Sequence, residues 1–358
     1  MHDRDYMDLC LRLARRGAGR VSPNPMVGAV LVKGGEVIGR GYHRAFGGPH
    51  AEVHAIRSAR GPLHGATLYV NLEPCSHFGK TPPCTGLIAS SGIREVVVGI
   101  KDPNPAVNGR GIAALRRAGI RVRTGILRDE CLRLNEAFVR FITTGKPFVT
   151  LKIAQTLDGN IADIRGTSHW ITGEKSRALV HRLRAETDAV LVGAGTVRKD
   201  NPRLTVRGVR GRNPLRIILD GRMSAPRRSR VFKPGAKTFL YVSDRLARAS
   251  VSGYGPTVSV IPFPAGRGHS ISIPWLLDHL GRSGIASVLV EGGAGIFGAF
   301  LKARAADKVV VMIAPKLLGT GVRAISGGLQ RRLKDALRLK AGSVAVLGGD
   351  LVIEGYLH

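Results

Sequence analysis

Hydrophobic positions fall into two rhythms that trade places along the chain. From Met26, short apolar runs such as "MVGAVLVKGGEVIGRGY", "GATLYVNLE" and "REVVVGI" alternate with segments of helical period such as "AEVHAIRSAR", "CTGLIASSG" and "GIAALRRAG". Strands interleaved with helices in this way build a layered α/β domain. An amphipathic stretch, "MDLCLRLARR", predicts a helix ahead of them, and "RDECLRLNEAFVRFITTG" predicts one long helix after them. Beyond Gly145 and Pro147 the pattern restarts with "KPFVTLKIAQTLDGNIA" and runs through "DAVLVGAG", "LRIILD", "KTFLYVS", "SVLVEGG", "KVVVMIAP" and "SVAVLGGDLVIEGYL". Two α/β domains are expected, 1–145 and 146–358, since 358 residues allow each to bury its own core. Residues 221–285 are rich in turn formers and give no chemical signal.

Composition narrows the setting. No run approaches the roughly 18 to 20 apolar residues of a membrane span, so no membrane partner is expected. The segment "MHDRDYMDLCLRLARRG" lacks the apolar centre of a secretory signal, and Asp3, Asp5 and Asp8 argue against a transit peptide, which points to the cytoplasm. The net charge of +30 invites nucleic acid. However, basic residues are spread from Arg4 to Lys340, aromatics are only 5%, and no nucleic-acid-binding signature is present. A small anionic substrate suits the charge, and no dedicated nucleic-acid partner is expected.

The chemistry begins at "PHAEVHAI" and "LEPCSHFGKTPPC". A reducing compartment disfavours a disulfide between Cys75 and Cys84. Zinc deaminases pair H-x-E with P-C-x-x-C: one His and two Cys hold the metal, and the Glu carries protons without binding it. Here His50 and Glu52 supply the first half, and Cys75 and Cys84 supply the second with an eight-residue gap. Cys84 opens a predicted helix, whose N-terminal dipole favours a thiolate. His54 reads as a packing or helix-surface residue, because a catalytic zinc needs an open position, while His77 stands as an alternative ligand. Cys10 and Cys131 read as small core residues.

Together with "SPNPMVGAVLV", "GYH" and "KDPNPAVNGRGI", these segments resemble the deaminase domain of the RibD family of bifunctional riboflavin-biosynthesis proteins, over about residues 4–145. The family carries the same widened cysteine spacing. The resemblance implies a cytidine-deaminase-like three-layer α/β domain, zinc ligands at His50, Cys75 and Cys84, and a proton shuttle at Glu52. It also implies substrate contacts at Asn24, His43, His77, Lys80 and Asn104.

In the second half, "EGGAGIFGAF" places Gly293, Gly295 and Gly298 in a GxGxxG after a strand and before a helix. The acid that reads a ribose hydroxyl about 20 residues on is missing, so the classic dinucleotide fingerprint is incomplete. Glycine-exposed N–H groups at a helix start still suit a phosphate. "LKIAQTLDGNIA", "TSHWITGEKSRALVHRLRAETDAVLVGAGTVRKDNPRLTVR" and "EGG" resemble the family's reductase domain, which implies a dihydrofolate-reductase-like α/β fold using NADPH. Implied cofactor contacts are Ala154, Trp170, Thr196, Asp200, Gly293, Ala294, Gly295, Ile296, Phe297, Gly298 and Ala299. Implied substrate contacts are Lys152, Ser168, Arg184, Leu204, Arg207 and Glu291. Arg184 and Arg207 suit phosphate clamps. Either Lys152 or Asp200 would assist protonation during reduction.

The expectation is a bifunctional enzyme that deaminates a phosphorylated pyrimidine with one Zn²⁺ and then reduces its ribosyl group with NADPH. The resemblance further implies a homodimer or larger assembly. Two alternatives stay open here: a zinc deaminase acting on a base in RNA, and a basic RNA-binding protein with degenerate sites.

Overall fold

The computed structural model describes residues 1–76, 82–247, 253–265, 267–326 and 331–357. The chain divides after Gly145 into two compact units, Met1–Gly145 and Lys146–His358.

The first unit runs α1 (Asp3–Ala14), β1 (Gly28–Lys33), β2 (Glu36–Tyr42), α2 (Ala51–Arg57), β3 (Thr67–Leu72), α3 (Cys84–Ser90), β4 (Glu95–Ile100), α4 (Arg110–Arg117), β5 (Arg121–Thr124), α5 (Arg128–Leu134) and α6 (Glu136–Thr144). Its five strands order as β2-β1-β3-β4-β5, with β1 antiparallel to both neighbours and β3, β4 and β5 parallel. Successive strand side chains point to opposite faces. Ala29, Leu31, Leu68 and Val70 meet Ala51, Ala55, Ile88 and Leu115 of α2, α3 and α4 on one face. Val30, Val32 and Tyr69 meet Met7, Cys10 and Cys131 of α1 and α5 on the other. Because both faces are covered, β1 reads as one unbroken apolar run, and the unit is the expected three-layer domain.

Two local features set the site. Gly41 lets α2 lie hard against β2, since a Cβ there would come 2.1 Å from the Ala51 carbonyl oxygen and 2.4 Å from the Ala55 nitrogen. The single long helix expected over "RDECLRLNEAFVRFITTG" is instead two, α5 and α6, broken at Asn135. The buried Asn135 amide accepts from the Met26 N–H at 2.8 Å and donates to the Met26 oxygen at 3.0 Å. That side-chain-to-backbone bridge competes with helical geometry, and Asn135 sits at φ −107°, ψ 21°.

The second unit runs β6 (Phe148–Thr156), β7 (Asn160–Ala162), α7 (Glu174–Glu186), β8 (Ala189–Gly193), α8 (Ala194–Asp200), β9 (Leu215–Leu219), β10 (Thr238–Ser243), α9 (Asp244–Ala247), β11 (Val258–Phe263), α10 (Ile273–Arg282), β12 (Ser287–Gly292), α11 (Ala294–Lys302), β13 (Lys308–Ala314), β14 (Val322–Arg323), β15 (Lys340–Leu347) and β16 (Asp350–Tyr356). Nine strands order as β11-β10-β9-β8-β12-β6-β13-β16-β15. Those from β11 to β13 are parallel, and β16 and β15 add antiparallel. The β15–β16 turn uses Gly348 and Gly349 at φ 63° and 92°, the left-handed pair of a tight hairpin. α10 and α11 cover Leu151, Leu191 and Val290 on one face, and α7 covers Val310, Met312 and Val352 on the other. The chemically silent segment 221–285 supplies β10, α9, β11 and α10. Among the described residues no helix is long and apolar enough to cross a membrane.

Candidate active sites

Three elements deliver the first cluster: His50 precedes α2, Cys75 follows β3, and Cys84 opens α3. Both thiols lie beside His50 Nδ1, Cys84 Sγ at 3.3 Å and Cys75 Sγ at 3.5 Å. Zinc bound tetrahedrally by these atom types would separate nitrogen from sulfur by roughly 3.5 Å. Among the described residues this trio is the one His, Cys and acid group able to share a metal ion, with ligand atoms within 4.8 Å of one another, and both cysteines are free. The Cys84 thiol and backbone N–H donate to Cys75 Sγ, which pulls the Cys75 thiol down to about 4 and pushes the Cys84 thiol up. The bond to Cys75 raises His50.

Glu52 faces the trio from the first turn of α2, and only 3% of it is exposed. Burial, with the Cys75 thiolate nearby, lifts its carboxyl to about 7, and its Oε2 has no partner among the described residues. A soft N/S/S donor set beside an orphaned carboxylate oxygen fits a zinc with one open position. His54 stands outside the trio, with its own Nε2 buried and unpartnered.

A cavity of about 320 Å³ opens on this cluster. Asn24, His43 and Asn104 all line it, together with Glu73, Asp102, Phe46, Phe138 and Phe141, which sequence reasoning missed. The His43 Nδ1 lies 3.1 Å from the Pro49 oxygen and must donate to it, so Nε2 accepts from the Asn24 amide at 3.2 Å. Burial lowers the His43 pKa, consistent with that neutral tautomer. Asn104 accepts from the Ala106 N–H through Oδ1, which leaves its amide donors for the cavity it lines. Glu73 accepts from the N–H groups of Asp102, Gly109 and Ile112, tying the end of β3 to the loop that carries Asn104. His77 and Lys80 lie outside the described residues.

In the second unit a cavity of about 450 Å³ opens at the C-terminal ends of β6, β8 and β12. It is lined by Lys152, Ala154, Ser168, Trp170, Arg184, Thr196, Asp200, Leu204, Arg207, Glu291, Gly293 and Phe297. Sequence reasoning missed Arg177 and His181, although 177, 181 and 184 recur at the spacing of one face of α7. Arg184 lines this cavity with a largely buried guanidinium: Nε and Nη2 donate to the Glu291 carboxylate at 2.5 and 2.8 Å, and Nη1 donates to the Thr205 oxygen at 3.1 Å. Lys152 Nζ lies 3.5 Å from the same carboxylate. Burial alone would raise Glu291, but Arg184 and Lys152 outweigh it and hold the carboxyl at about 2. Among the described residues the Arg207 guanidinium makes one hydrogen bond, from Nη1 to Thr205 Oγ1 at 3.3 Å, and its backbone N–H donates to His181 Nδ1 at 3.3 Å. Ser168 donates to Asp200 Oδ1 at 2.8 Å, and Leu204 buries its side chain in the core.

A further cavity of about 530 Å³ shares Ser168, Thr196, Asp200 and Gly293 with the second and adds Ala294, Gly295 and Ile296. Two glycine turns, at Gly193 to Gly195 and at Gly293 to Gly295, line it. A Cβ at Gly193 would press on Ile296 at 3.0 Å, and one at Gly293 would sit 3.3 Å from Thr196 Oγ1. This bare backbone beside the start of α11 fits an extended anionic cofactor. Gly298 and Ala299 line neither cavity: one turn further along α11, Gly298 is buried and Ala299 packs on the core.

Residues 1–100 match the cytidine and deoxycytidylate deaminase zinc-binding region, and residues 147–353 match the RibD C-terminal domain. The riboflavin biosynthesis protein RibD of Aquifex aeolicus is 43% identical over 98% of this chain and 97% of its own length. That of Escherichia coli K12 is 39% identical over 99% of both chains. A diaminohydroxyphosphoribosylaminopyrimidine deaminase/5-amino-6-(5-phosphoribosylamino)uracil reductase from Thermotoga maritima superposes with a TM-score of 0.90 at 43% identity, covering 99% of each chain. With both halves matched and near full-length relatives at this identity, the chain belongs to the RibD family.

Proposed function

We infer that the chain carries both activities of its family. It hydrolytically deaminates a diaminopyrimidinone ribosylamine phosphate in the first unit and reduces the ribosyl group to ribityl with NADPH in the second. The observation that carries this reading is the convergence of His50 Nδ1, Cys75 Sγ and Cys84 Sγ beside the orphaned, buried Glu52 Oε2. Those three side chains would hold zinc, which when bound would lower the pKa of a water molecule to about 7. Glu52 then takes a proton on its carboxylate and passes it to the ring nitrogen and to the departing amine. The Asn104 amide donors and the Asn24 Oδ1 orient the polar edge of the ring, and Phe138 and Phe141 supply an apolar wall. His77 and Lys80 remain proposed phosphate contacts by resemblance.

NADPH, when bound, supplies the hydride. Gly293 to Ile296, with Thr196, Asp200, Ala154 and Trp170, hold the cofactor, while Ser168 and Leu204 contact the substrate. Arg207 clamps the substrate phosphate. Arg184 fixes Glu291, whose carboxylate lies 3.5 Å from Lys152 Nζ and so positions it in the cavity. That arrangement favours Lys152 over Asp200 as the group that assists protonation.

The two free thiols of this trio favour a reducing compartment, which supports a cytoplasmic location. An assembly of two or more copies is supported by the edge strand β15, where Val344 and Val346 are 66% and 74% exposed. A deaminase of RNA bases would leave the Lys152–Glu291–Arg184 cluster without a role. The test is ammonia release from the free pyrimidine nucleotide and from RNA, followed by NADPH oxidation. Release from the nucleotide and then oxidation is expected, and activity on RNA alone would sink the reading.

A further inference from the structure

We propose that Arg177 is a positioning residue for the reduction: it holds the indole of Trp170 in place as a wall of the 450 Å³ cavity before the nicotinamide cofactor arrives. The inference rests on the reading of Trp170 as a cofactor contact, and it adds a residue that neither motif nor resemblance singled out. Trp170 is 61% exposed, so packing against the core does little to fix its ring. An exposed side chain at a cavity wall samples several rotamers, and ordering it on binding costs affinity. The neighbours of Trp170 remove that freedom in advance.

The backbone is fastened on both sides of the ring. Lys316, just past β13, donates from Nζ to the Trp170 and Ile171 oxygens at 2.9 and 2.8 Å. Asp350, which opens β16, accepts from the Gly173 N–H at 2.7 Å and from the Ser176 hydroxyl at 2.5 Å, and this pins the start of α7. Arg177 stands in the first turn of that helix. Its guanidinium carbon lies 4.7 Å from the centre of the Trp170 ring, inside the range of a cation–π contact, and its Nη1 donates to the Thr172 oxygen at 3.0 Å. The hydrogen bond sets where the guanidinium sits, and the stacked guanidinium sets where the indole sits. Among the described residues no carboxylate pairs with Arg177, so its planar fork serves the ring and the loop together. The His169 ring, 4.8 Å from the indole and tilted by 41°, lines the cavity beside it. A wall fixed in this way is preorganised for the flat ring that it meets.

The test is a double-mutant cycle on the full chain, with NADPH affinity read by calorimetry and indole accessibility read by acrylamide quenching of tryptophan fluorescence in the cofactor-free protein. Arg177→Met, which keeps the aliphatic stem and removes the fork, should weaken NADPH binding about fivefold to tenfold and raise the quenching. In a Trp170→Ala background the same substitution should change affinity by less than about twofold and leave the quenching, now from Trp275 alone, unmoved. Additive losses around the cycle would make Arg177 a direct contact with the cofactor, and that outcome overturns the positioning role. If Trp170→Ala weakens NADPH binding while Arg177→Met does not, the proposal falls alone. If Trp170→Ala leaves the affinity unchanged, the reading of Trp170 as a cofactor contact falls and takes the proposal with it.

Discussion

Two enclosed carboxyl groups in this chain are moved in opposite directions from their ordinary pKa for reasons that are visible in their neighbours. Among the described residues Glu52 Oε2 has no partner, and burial lifts the carboxyl to about 7, so it can exchange a proton near neutral pH. Glu291 is equally enclosed, but Arg184 and Lys152 hold it ionised down to about 2. A depressed carboxyl stabilises the fold fully above its unfolded value near 4.5. That contribution fades as pH falls below it and is gone once the pH has passed about 2, with on the order of 3 kcal/mol at stake. Acid titration of the second unit's stability should show this loss between about pH 4.5 and 2. Glu291→Gln should flatten that window and lower stability at pH 7 by about 3 to 5 kcal/mol, because it leaves Arg184 buried without its partner. An unchanged acid profile in the variant would remove Glu291 from this role.

Helix α7 carries much of the second site, and its sequence shows both what could be read in advance and what could not. The helix itself was not singled out in the sequence, whereas Arg184 and the residues after α8 were legible by resemblance. That Arg184 would pair with Glu291, 107 positions away, was not, because sequence spacing does not report which side chains meet across a sheet. Arg207, whose guanidinium makes one bond to a neighbouring side chain, is the clamp to test first. Arg207→Ala should raise the reductase substrate's KM about tenfold to a hundredfold with kcat within a few fold. Steady-state kinetics on the deaminated substrate check this, and an unchanged KM would remove the clamp. The break between α5 and α6 was hidden for a similar reason: Asn135 reaches Met26 from 109 positions away. By contrast, His50, Glu52, Cys75 and Cys84 were readable because each lies at the end of an element whose period is clear.

On the scale of the whole molecule, two α/β units each carry one chemistry. The alternating pattern made both sheets readable, while the far wall of the 530 Å³ cavity was not, since Arg222, Ser224 and His269 come from turn-rich segments with no motif. The exposed β15 edge predicts self-association: light scattering should give a mass of at least two chains, and Val346→Lys should shift it toward one. A monomer at micromolar concentration would contradict that. The central claim is that proton transfer at Glu52 serves deamination alone. The most direct measurement is Glu52→Gln assayed for zinc content, ammonia release and NADPH oxidation with the deaminated substrate. Retained stoichiometric zinc, deamination reduced by about a hundredfold or more, and reduction within about twofold of the unmodified chain are predicted. Persistent deamination, or loss of both activities together with zinc retained, would contradict the account.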